Sequence, residues 1–95
     1  MREYELAIII DSNTDEEGVT ATVEKVSQFV KTLSGEVASV NVWGRRILAY
    51  PIEKHRDGIY VLFNLKMQPQ SMVDLERNLK LTEQIIRYLL VVKEE

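Results

Sequence analysis

From Tyr4 to Ile10 the chain alternates, with Tyr4, Leu6, Ile8 and Ile10 on one face and Ala7 and Ile9 on the other. Both faces are apolar, which predicts a strand in the middle of a sheet. Asp11-Ser12-Asn13 ends it. Thr14 and Glu17 then stand at capping-box spacing, with Asp15 and Glu16 between them. Acids there suit the positive end of a helix. Val19, Val23, Val26, Val30 and Leu33 follow at steps of four and three, with Phe29 beside them. That stripe predicts a helix packed on a core, and Gly35 is placed to end it in a left-handed conformation.

The pattern changes period after Gly35. Val37, Val40 and Val42 are extended but do not alternate strictly, which predicts a bulge or an irregular start before Trp43. Leu48 and Tyr50 share a face farther on, and Pro51, which has no donor, puts this strand at a sheet edge. Asp57-Gly58 is a reversal signal. Beyond it Val61, Phe63, Leu65 and Met67 face one way, and Tyr60, Leu62, Asn64 and Lys66 the other. Pro69 and Ser71 introduce a second helix with Ser71 and Asp74 at capping spacing, and Met72, Leu75 and Leu79 form its buried stripe. Ile85 to Val92 is a last strand, apolar on both faces apart from Arg87.

Strand, helix, strand, strand, helix, strand is the split βαβ order. It predicts an α+β, ferredoxin-like domain over residues 1–95, with a four-stranded antiparallel sheet and both helices on one face. The second and last strands are the expected edges. The bare face should display Ala7, Ile9, Tyr60 and Leu62, an apolar patch that calls for a protein partner.

Composition narrows the classes. At 95 residues, 45% hydrophobic and 28% charged, the chain is long enough for one modest core. It has no cysteine, so thiol chemistry and thiolate metal sites are excluded. Its apolar runs are too short to span a bilayer. No long apolar segment follows Met1-Arg2-Glu3-Tyr4-Glu5, so no secretory signal is expected and the location expected is cytoplasmic. The net charge of −3 argues against a nucleic-acid partner, but its distribution does not. The balance is −5 over residues 1–43, +3 over 44–66 and −1 over 67–95. Cations gather where Arg45 and Arg46 follow Trp43-Gly44, and local potential matters more to a phosphate than the total. Paired guanidiniums make forked contacts to phosphate oxygens. Solvated turn residues are the other reading of the pair.

Gly44-Arg45-Arg46 followed by Leu48-Ala49-Tyr50-Pro51-Ile52 resembles the core motif of the bacterial small-subunit ribosomal protein six family. Arg2-Glu3-Tyr4-Glu5, and Arg87-Tyr88 with Val91-Val92-Lys93, are similar to that family's terminal strands. The resemblance covers essentially the whole chain in order. Ile47 stands where the family usually carries a polar or basic residue, so no charge is available there for a third cationic contact. The resemblance implies a non-enzymatic constituent of the small ribosomal subunit. It would pair with small-subunit ribosomal protein eighteen and bind the central domain of small-subunit rRNA. Arg45 and Arg46 match the family's basic motif and are the first candidates for RNA contact. Arg2, Lys54, Arg56 and Arg87 join them by charge and position. Ala7, Ile9, Tyr60 and Leu62 are the candidates for the protein partner. No cofactor, membrane or small-molecule substrate is expected.

Other functions of this fold are weighed by their residues. His55, the one histidine, lies in a charged turn, and the four glycines are scattered rather than gathered in a phosphate loop. Acylphosphatase-like enzymes share the topology, but no catalytic constellation is found here. RNA-recognition modules stack bases on sheet aromatics; here Tyr60 is the only aromatic expected on the open face of a central strand, and the usual pair of aromatic-rich motifs is absent. A ferredoxin-like protein-interaction or ligand-sensing module without RNA binding stays open as the alternative.

Overall fold

The computed structural model describes the backbone of residues 2–52 and 55–93; the side chains at 45–52 and 55–56 lie outside that description. The elements are β1 (Arg2–Asp11), α1 (Glu16–Thr32), β2 (Glu36–Ile52), β3 (His55–Met67), α2 (Met72–Lys80, led in by the 3₁₀ turn Pro69–Ser71) and β4 (Ile85–Val92). The sheet order is β2-β3-β1-β4, with every neighbouring pair antiparallel. This is the split βαβ arrangement, and β2 and β4 are its edges. Among the described residues no helix is long and apolar enough to cross a membrane.

The core lies between the helices and one face of the sheet. Tyr4, Leu6, Ile8 and Ile10 of β1 and Val61, Phe63, Leu65 and Met67 of β3 are buried with Val26 and Val30 of α1 and Leu75 and Leu79 of α2. Period two in the strands and three to four in the helices bring these residues onto facing surfaces. Among the described residues two polar ones, both threonines, share the interior. The hydroxyls of Thr22 and Thr82 donate to the carbonyls of Gly18 (2.8 Å) and Asn78 (2.9 Å), one helical turn back, so neither is buried unsatisfied.

Helix ends depart from the expected pattern. The N-cap of α1 is Asp15, not Thr14, and its carboxylate accepts from the Gly18 amide at 2.8 Å. Ser71 precedes α2 without a side-chain capping bond; its backbone is already helical, so its hydroxyl is not set to accept from the amides of the first turn. After α1 the left-handed residue is Ser34 (φ 63°), not Gly35. The Ser34 amide donates to Lys31 O (3.0 Å) and the Gly35 amide to Val30 O (2.8 Å), the paired bonds of a Schellman end. Gly35 serves packing: a Cβ there would stand 2.6 Å from Met67 Cγ and 3.0 Å from Lys66 O.

The hairpin also closes elsewhere than expected. Asp57 and Gly58 belong to β3, opposite Ile47 and Arg46, and the strands pair again at Ile52 and His55. Residues 53 and 54 lie outside the described residues. Gly58 is needed for close approach, since a Cβ there would collide with Ile9 Cγ2.

Candidate functional site

Two features stand out once the core is accounted for: the sheet face without helices, and the β2–β3 hairpin. Register builds the face in rows. Asn41, Leu62, Ala7 and Leu89 lie side by side across the four strands. Gly44, Tyr60, Ile9 and Arg87 form the next row, and Ser39, Asn64, Glu5 and Val91 the row on the other side. Asn64 Nδ2 donates to Ser39 Oγ at 2.8 Å and ties the β2 edge to the centre. The result is an apolar strip with Glu5, Lys66 and Arg87 around it, the arrangement of a docking patch with a polar rim.

All four expected partner residues fall on this face, but not with equal access. Ala7, Tyr60 and Leu62 are half-buried. Ile9 is only 9% exposed, because Gly58 beside it leaves room for its side chain to settle into the sheet. It is floor rather than contact surface. Within the three rows of this face the most open apolar groups are Leu89 (61%) and Val91 (47%) of β4, which the sequence pattern did not single out. Their apolar parity was visible in Ile85–Val92, but only the pairing of Leu89 with Ala7 shows which face they share.

The hairpin is placed by where β1 stops. Pairing between β1 and β3 ends at Asp11 and Gly58, whereas β2 and β3 pair on to Ile47 and Asp57 and, after a register shift, once more at Ile52 and His55. Beyond Gly58 the sheet becomes a two-stranded ribbon. Arg45 and Arg46 lie opposite Ile59 and Gly58, at the root of that ribbon. Just before them Trp43 is an extra residue between the pairs Val42–Val61 and Gly44–Tyr60, a bulge to which Gly44 supplies a positive φ of 83°. The irregularity expected before Trp43 is at Ala38, an extra residue between the pairs Val37–Leu65 and Ser39–Asn64, and a third register shift falls between Ile47 and Ile52.

The six cations expected to meet RNA do not form one cluster. The backbone brings Arg45, Arg46 and Arg56 to the ribbon, but their side chains lie outside the described residues, and Lys54 lies outside them altogether. Arg87 is exposed in the row of Gly44 and Tyr60, on the opposite edge of the sheet. Arg2 is exposed opposite Met67, roughly 30 Å along β3 from Gly58 at about 3.3 Å per residue. One phosphate group cannot meet all of them.

The fold presents an open, partly apolar sheet face and, at one end, a hairpin whose sequence is rich in cations. The family model for ribosomal protein S6 matches residues 3–92. The small ribosomal subunit protein bS6 of Clostridioides difficile is 44% identical over 92 residues, covering 97% of this chain and 99% of the relative. That of Dictyoglomus turgidum is 38% identical over 95 residues, covering 100% and 98%. The crystal structure of ribosomal protein S6 from Thermotoga maritima superposes with a TM-score of 0.91 at 30% identity, covering 97% of this chain and 87% of that one. The C-terminal domain of MgtC from Mycobacterium tuberculosis shares the fold alone, with a TM-score of 0.69 at 14% identity. The chain belongs to the ribosomal protein S6 family. Members are structural constituents of the bacterial small ribosomal subunit in the cytoplasm, not enzymes.

Proposed function

We propose that this chain binds the central domain of small-subunit rRNA through the root of its hairpin and docks small-subunit ribosomal protein eighteen on its open sheet face. The observation that carries the reading is the row Leu62, Ala7, Leu89. It runs across the middle of the sheet, no helix covers it, and Leu89 is 61% exposed. Such a strip in a folded chain is a surface waiting for a partner. The balance of +3 over residues 44–66 supports placing RNA at the hairpin rather than on the acidic remainder.

The test is RNA binding by the reconstituted protein pair across a salt series. Arginines on phosphates release counterions, each contributing roughly 0.9 to the log–log slope on duplex. The double variant Arg45→Ala, Arg46→Ala should flatten the slope by about one to two. It should weaken binding to cognate and unrelated RNA alike, since phosphate contacts position without specifying. Ile47→Ala has no charge to release and should leave the slope unchanged. An unchanged slope in the double variant would remove the arginines from the RNA interface, and a loss confined to cognate RNA would make them base readers.

A further inference from the structure

Trp43 is the extra residue of the β2 bulge, and 53% of it is exposed. Among the described residues it is the only aromatic among the exposed large apolar side chains; the others are valines and leucines. An indole buries a large apolar area when packed, and here half of it stays in water. Space beside it is open: a Cβ on Gly44 would meet nothing within 4 Å. Trp43 has no paired residue of its own across the sheet, so it is not part of the rows that carry Leu62, Ala7 and Leu89 on the open face. The chain places it instead two and three residues before the paired arginines. A flat ring in water, so close along the chain to two arginines, offers an unstacked nucleotide a surface for its base, with cations nearby in sequence for its phosphate. A protein partner would find a larger uncharged surface around Leu62 and Leu89.

We propose that Trp43 is a stacking platform for an unpaired nucleobase in a loop or bulge of the bound RNA. The proposal rests on the RNA-binding reading above and adds a contact that phosphate anchoring does not require. The ligand is a base without its helical neighbour, because base faces inside an A-form duplex are already stacked. Stacking on an aromatic tolerates any base identity. Trp43 therefore selects for an unpaired nucleotide rather than for a sequence.

The chain has one tryptophan, so 5-fluorotryptophan incorporated into this chain alone gives a single ¹⁹F resonance for Trp43. Three probes are added: the protein partner alone, a fully paired duplex RNA, and a small-subunit rRNA fragment with unpaired loop nucleotides. The loop RNA should move the resonance upfield by the ring current of the stacked base, and the other two should leave it in place. Trp43→Ala should weaken binding of the loop RNA about 5- to 150-fold, the range expected of one base stacked on an aromatic. It should leave duplex binding and the salt slope as they were, and Trp43→Tyr should keep most of the affinity. An unmoved resonance on RNA that is demonstrably bound overturns the platform and leaves the rRNA reading standing. A shift produced by the protein partner alone assigns Trp43 to the protein interface and overturns it as well. Absence of all RNA binding removes both readings.

Discussion

The two faces of the sheet are cut from the same strands and differ only in the parity of the residues that reach them. On β3, Val61, Phe63 and Leu65 are at most 1% exposed, while the intervening Leu62 and Asn64 remain half-open. On β4, Leu90 and Tyr88 pack against the core, while Leu89 and Val91 are 61% and 47% exposed. Hydrophobicity alone does not separate these sets, since leucine and valine occur in both. What separates them is coverage: Leu75, Leu79, Val26 and Val30 of the helices lie over one face, and among the described residues no helix lies over the other. Apolar residues on the covered face hold the fold together, and those on the open face are available to a second molecule. The same side-chain type therefore has different consequences one residue apart.

The sharpest way to break that comparison is a truncation on the covered face. Phe63 is fully buried, and Phe63→Ala should cost about 3–5 kcal/mol through lost transfer energy and the cavity left behind. For a domain of this size that is a large part of the whole stability. Urea unfolding followed by circular dichroism measures it, and a loss under 1 kcal/mol would mean that the face is not the core.

Next in size is a charge on the open face. Leu89→Glu should change stability by no more than about 0.5 kcal/mol, since the side chain is already mostly in water. It should weaken association with the protein partner by roughly ten- to a hundredfold, the equivalent of burying one leucine at about 1.5–3 kcal/mol. Calorimetric titration of the partner into each variant separates the two quantities. A variant that unfolds would show that the open face is structural after all; one that binds normally would move the docking surface elsewhere.

What the sequence revealed follows from which features are periodic. The parity of β1 and β3 and the valine stripe of α1 repeat over many residues, so their buried sets are legible. Features that depend on a partner strand are not. Bulges at Trp43 and Ile86 each insert one residue and reset the parity, so the neighbours of Tyr60 and Ile9 follow from pairing rather than from spacing. Ile9 has the parity of an exposed residue, yet it is buried because Gly58 on the adjacent strand has no side chain. Asp57-Gly58 carries a turn composition but is needed as strand, for the same close approach. At the candidate site, charge along the chain located the hairpin, but only the end of β1 at Asp11 shows that Arg45 and Arg46 stand where three strands become two.

The smallest predicted effect tests whether the covered side can be altered without reaching the open one. Ser34 holds φ 63° at the end of α1, a region that costs an L-residue about 1–2 kcal/mol and glycine almost nothing. Its amide bond to Lys31 O does not involve the side chain, so Ser34→Gly keeps the Schellman end intact. The greater freedom of glycine in the unfolded chain offsets part of the gain. A net stabilisation of about 0.5 kcal/mol should remain, a rise in Tm of about 2–4 °C for a domain this small. Gly35→Ala, one position later, should act with the opposite sign, because its new Cβ would press on Met67, Val30 and the Lys66 carbonyl. Thermal unfolding of both variants, with partner titration alongside, checks the pair. Opposite shifts in Tm with unchanged affinity place the helix end on the covered side only. A Tm that falls for Ser34→Gly would mean that the serine side chain, and not the backbone, sets the cost at this position.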